Sequence, residues 1–321
     1  MKEYELEVFD NPISNNLPSM HFIKCKIAPG IAIGSGIDNR QREASAIGEA
    51  FEWDVMFELT EDITQTYDES NSKMISPALF GHSFDNIHEV DWVEAENSGL
   101  CFFVHRPTRT KHNHKFYNHT SNGIAVHSSR QQCITSALNE IIERTFIGLF
   151  WTAKINIEEI SSTYEDDYTK IIQDEGWGIS YYQLCNAPYV IMAIIFNVRN
   201  QSYNHGAVIT GYKCSENIEH ACCGALYEAI QVLEALYLGK GERYLSHEQR
   251  HFINNEGISA FNSKLKLAQS IDNISSISIR NDDIYYRIRD MKEFYYCECF
   301  VTNLPSYYYK QKKESPEIWP L

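Results

Sequence analysis

The chain has 321 residues, 43% hydrophobic and 22% charged, a balance that supplies a substantial globular core. Its 43 acidic residues against 28 basic ones leave a formal charge of −15, which excludes a phosphate-backbone binder built on clustered Lys and Arg, so no nucleic-acid partner is expected. The Met1-Lys2-Glu3-Tyr4-Glu5 start carries no apolar signal-peptide core, and no apolar run reaches the ~20 residues of a membrane helix. A cytoplasmic protein with no membrane partner is expected. The nine cysteines are dispersed without a CxxC pair and read as reduced core residues, not as a disulfide framework or a zinc site.

In chain order, Tyr4 to Phe9 and Phe22 to Ile27 alternate or run apolar in the manner of strands. Pro29-Gly30 and Gly34-Ser35-Gly36 then break the chain. A helix is predicted from Arg40 to Leu59, followed by a polar, poorly periodic stretch from Thr60 to Asn86. Val90 to Glu94 and Leu100 to His105 predict a hairpin around Asn97-Ser98-Gly99. His112, His114 and His119 are irregularly spaced in a polar stretch and read as solvated. Ser121-Asn122-Gly123 precedes a second helix, from Gln131 to Thr152. A short helix from Tyr168 to Gln173, strands at Ile179 to Leu184 and Tyr189 to Val198, and a third helix from Ile218 to Leu238 follow. The last third is weakly patterned. It ends in a strand from Phe294 to Val301 and a basic, Tyr-rich tail. On that strand Cys297 and Cys299 would share one face. No linker divides the chain, which predicts one compact unit.

The three strong helices share a frame. The first carries Ser45-Ala46-Ile47-Gly48-Glu49-Ala50-Phe51-Glu52, the second Ser136-Ala137-Leu138-Asn139-Glu140-Ile141-Ile142-Glu143-Arg144, and the third Gly224-Ala225-Leu226-Tyr227-Glu228-Ala229-Ile230-Gln231. Their first glutamates stand 91 and 88 residues apart, a spacing that suggests equivalent helices in related units. Residues three and four apart share a helix face, so Ser45, Glu49 and Glu52 form one stripe. Ser136, Glu140 and Glu143 form a second, and Gly224, Glu228 and Gln231 a third. On the first helix Ile47, Phe51 and Val55 flank the stripe on one side and Ala46, Trp53 and Phe57 on the other, which turns the carboxylates inward. A lone ExxE is usually a solvated face, but three copies in one frame with apolar flanks favour a buried acidic site. Buried carboxylates need a compensating cation, and an all-oxygen set suits Mg2+ with substrate phosphates. Arg144 could pair with a carboxylate or contact a phosphate; phosphate contact is the favoured reading. The glycine-containing turns Gly34-Ser35-Gly36 and Ser121-Asn122-Gly123 are neither a Walker A loop nor a dinucleotide fingerprint, yet they lead to the acidic helices and could donate to a phosphate.

On these residues the chain resembles the YcaO family, from Gly34 to about Pro305. The second block, Ser121-Asn122-Gly123-Ile124-Ala125 leading to Ala137 to Arg144, carries the most specific part of the likeness. The resemblance implies an α+β, YcaO-type fold with repeated helix-on-sheet units, distinct from P-loop and Rossmann folds. It implies residues 1–33 as N-terminal strands, 34–305 as the ATP-binding catalytic domain and 306–321 as a C-terminal tail. ATP and Mg2+ are the implied cofactors, with Glu49, Glu52, Glu140 and Glu143 holding the metal on the triphosphate. Ser45, Asn122, Ser136, Glu140, Arg144, Glu228 and Gln231 are the implied nucleotide-side residues. The implied activity is an ATP-dependent, cyclodehydratase-type enzyme that activates backbone amides of a precursor peptide, turning Cys, Ser or Thr into azolines of the kind found in peptide antibiotics. Peptide thioamidation, amidine formation and a catalytically degenerate scaffold are the alternatives. The nucleophile would belong to the substrate, so no catalytic residue is nominated. A separate leader-peptide-binding partner is expected, and a homo- or hetero-oligomer is compatible with the sequence. The chain departs from the family pattern in having Ser35 where a lysine is usual, Trp53 where an arginine follows the second glutamate, Gln132 eight residues before Glu140, Leu233 after Gln231, and no alternating prolines at its end.

Overall fold

The computed structural model describes residues 4–28, 30–58, 62–80, 89–105, 122–152, 154–160, 167–197, 208–238, 255–270 and 279–304. The first third contains β1 (Leu6–Phe9), β2 (Met20–Lys24), β3 (Ile31–Ile33), α1 (Asn39–Glu58), β4 (Ile63–Gln65), β5 (Val90–Asn97) and β6 (Leu100–His105). The middle contains β7 (Ile124–His127), α2 (Arg130–Trp151), β8 (Glu158–Glu159), α3 (Asp167–Asp174), β9 (Trp177–Asn186), β10 (Tyr189–Asn197), β11 (Val208–Ser215) and α4 (Ile218–Tyr237). The last part contains α5 (Asn255–Gln269), β12 (Ile284–Asp290) and β13 (Tyr295–Val301).

The strands form three sheets whose described pairings between strands are antiparallel: β1-β2-β3, then β4-β5-β12-β13-β7 with β6 on β5, and β11-β10-β9-β8. The hairpin expected at Asn97-Ser98-Gly99 is present. Ser98 and Gly99 both have positive φ, 50° and 80°, which matches strand twist in a two-residue turn. Each of the three repeated helices follows a strand and packs against it: α1 on β2 and β3, α2 on β7 and β13, α4 on β10 and β11. The repeat read from sequence is therefore a strand–turn–helix unit used three times. These are the helix-on-sheet units of an α+β fold.

The run Val190 to Phe196 is apolar throughout because both faces of β10 are covered. Val190, Met192 and Ile194 pack with Phe146, Phe150 and Trp151 of α2 and Phe261 of α5. Ile191, Ala193 and Ile195 face the other way, onto Ala225, Ala229 and Leu233 of α4. Side chains alternate along a strand, so an all-apolar sequence is what a sheet sandwiched between helices requires. Close seating of α4 depends on Gly211 in β11, where an added Cβ would lie 2.2 Å from the Ala225 carbonyl oxygen.

Cys297 and Cys299 do share a face of β13. They are packed in the core beneath Cys133 and Ala137 of α2, while Glu298 on the opposite face pairs with Arg287 at 3.2 Å. The predicted strands at the N-terminus end up shorter or shifted, as Leu6–Phe9 and Met20–Lys24, and the three main helices agree with their predicted ends to within one residue. Strands β3, β4, β7, β8, β11 and β12 and helix α5 were not anticipated, β4 falling within the polar stretch from Thr60 to Asn86. His112, His114, His119, Ser121 and the C-terminal tail lie outside the described residues.

Candidate functional site

β3, β7 and β11 lead into helices whose polar stripes line one cavity of about 1290 Å³. Its wall takes Ser45, Glu49 and Glu52 from α1, Ser136, Glu140, Glu143 and Arg144 from α2, and Gly224, Glu228 and Gln231 from α4. Every stripe position read from the sequence is brought to the same space. Neither Asn122 nor Gly123 is among the residues forming that wall; Gly123 acts through Glu140, to which it donates its backbone N–H at 3.1 Å.

A regular hydrogen-bond scheme holds the stripes. The first glutamate of each helix accepts a backbone N–H from the strand or turn preceding that same helix. Ile33 donates to Glu49 at 3.2 Å, Gly123 to Glu140 at 3.1 Å and Tyr212 to Glu228 at 2.6 Å. The second polar residue of α2 and that of α4 each reach into another unit. Glu143 of α2 accepts from Cys214 N–H on β11 at 2.7 Å, and Gln231 of α4 donates to the Ile33 carbonyl on β3 at 2.7 Å. The stripes thus fasten the units to one another as well as facing the cavity. The Gly34-Ser35-Gly36 turn reaches α1 by close approach: a Cβ on Gly34 would fall 1.7 Å from the Arg42 carbonyl oxygen. Ser35 N–H donates to Ser45 Oγ at 3.3 Å.

Burial and mutual repulsion raise most of the cavity carboxyls. Burial pushes Glu49 up to about 7, offset in part by the Ile33 N–H and reinforced by repulsion from Glu228. Burial likewise raises Glu140 to about 7, with Arg144 opposing and Glu143 reinforcing the shift. Glu228 reaches about 7 through burial and the Glu143 charge, again opposed by Arg144. Glu52 is raised well above the usual carboxylate range by burial, then by Glu140 and Glu49. Glu140 keeps 22% of its side-chain exposure, and all of these groups border a recess walled by protein. Arg144 Nε stands 3.9 Å from Glu140 and 4.0 Å from Glu143, separations at the limit of an ion pair and too long for hydrogen bonds. The guanidinium lies beside both carboxylates and its charge opposes the rise of Glu140 and Glu228.

This donor set fits Mg2+ carried on a polyphosphate. Five carboxylates share the cavity wall with two strongly basic side chains, Arg144 and Lys213, so a divalent cation would relieve both burial and repulsion. Among the described residues no three carboxylate, imidazole or thiol groups stand close enough to hold a metal between themselves. The carboxylates therefore ring a space and do not close on a point. That arrangement suits Mg2+, which keeps waters and takes one or two carboxylates together with substrate phosphates.

Several site residues escaped the sequence reading. Lys213, His127, His220 and Asn139 also line the cavity. Arg42 and Glu234 form a buried pair at 2.9 Å between α1 and α4, joined by Asn11 from the β1–β2 connection. Asp54 accepts N–H bonds from Lys26, Ile27 and Ala28 at 2.7–3.0 Å and the Tyr4 hydroxyl at 3.0 Å. Burial would raise its pKa, but these donors outweigh burial and hold it below the ordinary value. Asp54 thereby fixes the turn that carries Gly30 and Ile31 to the cavity rim. A single buried acid on a helix has no sequence signal of its own; Asp54 falls four residues after Ala50, on the packed side of α1, and that periodicity was the available clue.

An α+β fold with its cleft among three repeated acidic helices is neither a P-loop fold nor a dinucleotide-binding one. The family model for YcaO cyclodehydratase, ATP- and Mg2+-binding, matches residues 33–291. The chain belongs to the YcaO family, whose cofactors are ATP and Mg2+. No curated protein sequence matches it. Among solved structures, the Escherichia coli microcin synthetase McbBCD complex with pro-MccB17 bound is similar at TM-score 0.69 and 17% identity, over 93% of this chain and 88% of that one. A heterocyclase in complex with substrate and cofactor matches at TM-score 0.69 and 12% identity, over 94% of this chain and 50% of that one. YcaO from Methanopyrus kandleri bound with AMPPCP and Mg2+ matches at TM-score 0.63 and 15% identity, over 94% of this chain and 87% of that one. These likenesses establish the fold. No helix among the described residues is long and apolar enough to cross a membrane.

Proposed function

We propose that this protein uses Mg2+-ATP to activate backbone amides of a ribosomally made precursor peptide, closing Cys, Ser or Thr residues into azolines. One observation carries the reading: five glutamates from three repeated helices ring a single cavity, and burial raises the carboxyls of Glu49, Glu52, Glu140 and Glu228. The likeness to a microcin synthetase complex holding its precursor supports the choice of a peptide substrate.

In this reading Glu49, Glu52, Glu140 and Glu143 hold Mg2+ on the triphosphate, and Ser45, Ser136, Arg144, Glu228 and Gln231 border the nucleotide. Bound ATP supplies a γ-phosphoryl group that makes an amide oxygen a leaving group, with Mg2+ neutralising the charge that develops. The protein's part is positioning and charge compensation. The backbone clips on Glu49, Glu140, Glu143 and Glu228 fix where negative charge lies before a ligand arrives, and Arg144 stands between two of those charges. The attacking thiol or hydroxyl comes from the peptide. Cys214, the one thiol of the cavity wall among the described residues, has its pKa pushed up by burial and by the Glu143 charge, which makes it a poor nucleophile. At about 1290 Å³ the cavity exceeds the roughly 300–1,000 Å³ of ordinary small-molecule clefts, leaving room for a peptide segment beside a nucleotide. A separate protein that binds the leader and presents the core peptide completes the proposal.

The test is ADP release with Mg2+, with and without precursor peptide and partner, comparing the wild type with Glu140→Gln/Glu143→Gln. Turnover lost in the double variant supports the site. A product lighter by about 18 Da identifies cyclodehydration, whereas a gain of about 16 Da identifies exchange of oxygen for sulfur. No turnover and no Mg2+-dependent nucleotide binding with all components present would leave only a scaffold role.

A further inference from the structure

The third unit's stripe differs from the other two at two positions, with Gln231 in place of a glutamate and Gly224 in place of a serine. Four residues before the first glutamate, α1 has Ser45 and α2 has Ser136, but α4 has Gly224. The space is not empty. A Cβ on Gly224 would lie 2.6 Å from Cγ, 3.0 Å from Cδ and 3.2 Å from Cβ of Lys213. The lysine stem therefore lies along the bare surface of α4, where any other residue would displace it. Lys213 starts from β11 between two anchored positions. The N–H of Tyr212 on one side holds Glu228 at 2.6 Å, and the N–H of Cys214 on the other holds Glu143 at 2.7 Å. Tyr212 and Cys214 are buried while Lys213 is exposed and borders the cavity. Its charge is felt by both Glu140 and Glu228, whose carboxyls it pulls down.

We propose that Lys213 is a phosphate ligand of this site: a cation delivered from the β11 strand across the glycine surface of α4, meeting the triphosphate on the α4 side of the cavity as Arg144 meets it on α2. An ammonium on a flexible stem binds phosphate as a point charge. Here the stem is held along its length, so fewer rotamers are lost when the phosphate arrives. Gly224 is then a functional glycine, needed for what it leaves room for. The inference rests on the reading of the cavity as a Mg2+-nucleotide site and deepens it.

The experiment is calorimetric binding of Mg2+·AMPPCP and, separately, of AMP to the wild type, Lys213→Met and Lys213→Arg. Methionine keeps the stem and removes the charge. Lys213→Met is expected to weaken Mg2+·AMPPCP about tenfold or more, with AMP affinity unchanged and most of the loss recovered in Lys213→Arg. Gly224→Ala is expected to weaken Mg2+·AMPPCP in the wild-type background and to add nothing in Lys213→Met. If Lys213→Met binds Mg2+·AMPPCP as tightly as the wild type, or loses AMP in equal measure, the assignment of Lys213 is overturned while the nucleotide site stands. If the wild type itself binds no Mg2+·AMPPCP, the nucleotide reading fails and the lysine's role falls with it.

Discussion

Glu234 is fully buried on α4, and Arg42 on α1 answers it with Nη1 at 2.9 Å from both carboxylate oxygens while its Nε holds the Gly36 carbonyl at 3.2 Å. Removing one partner of such a pair strands the other charge, at a cost of roughly 3–5 kcal/mol. Arg42→Met is expected to lower stability by about that amount in urea titration, and the charge-free pair Arg42→Met/Glu234→Leu to recover much of it. The cavity glutamates make a second prediction. Glu49, Glu140 and Glu228 are raised from an ordinary 4.5 to about 7 in the folded chain, so folding favours their protonated forms. Their contribution is full below the unfolded value and is lost as pH rises through the folded one. Without nucleotide, the urea midpoint should fall between about pH 5 and pH 8, and Glu49→Gln/Glu140→Gln/Glu228→Gln should flatten that slope. The glutamates, Arg144 and the Ser/Gln positions were legible as residues because a repeated frame distinguishes them from solvated faces. Lys213 was not, since nothing in Gly-Tyr-Lys-Cys-Ser reveals a stem lying on a glycine 11 residues further on.

At the scale of elements the helices were plain and the strands feeding them were not. β3 and β7 have three and four residues, too few to show a period of two. β11 is long enough, with eight residues, but Gly211 interrupts it for a reason that lies in α4. That reason can be tested. Gly211→Ala would bring a methyl group within 2.2 Å of the Ala225 carbonyl and 2.4 Å of the Ala229 nitrogen, both backbone atoms that cannot swing aside. Overpacking of this kind costs about 1–3 kcal/mol. The variant should melt earlier than wild type and, because Glu228 is clipped to the adjoining Tyr212, bind Mg2+·AMPPCP more weakly as well.

For the whole molecule, the three units are fastened in sequence: the second to the third by Glu143 and the third to the first by Gln231. A ligand seated among them stabilises all three at once. Saturating Mg2+·AMPPCP at about 100 times its dissociation constant should add roughly 2.7 kcal/mol to unfolding; chelating Mg2+ should remove that gain, read as a fall in melting temperature. The fold class came from the family resemblance that the three helix motifs carry, whereas the arrangement of the sheets depends on pairings such as β5 with β12, which no local pattern announces.

The joints between α4 and the start of the chain span long stretches of sequence, 192 residues from Arg42 to Glu234 and 198 from Ile33 to Gln231. On a ribosome, where earlier segments emerge and begin to fold first, β3 and α1 are made long before the groups that complete them. A nascent chain halted short of Gln231 carries an arginine with no acid to neutralise it and an Ile33 carbonyl without its donor. Such a chain lacks Gln231, Val232 and Ala235 of the cavity wall and both joints that close the third unit on the first, so a nucleotide would meet an unfinished recess. It can only seal the structure after α4 has left the exit tunnel.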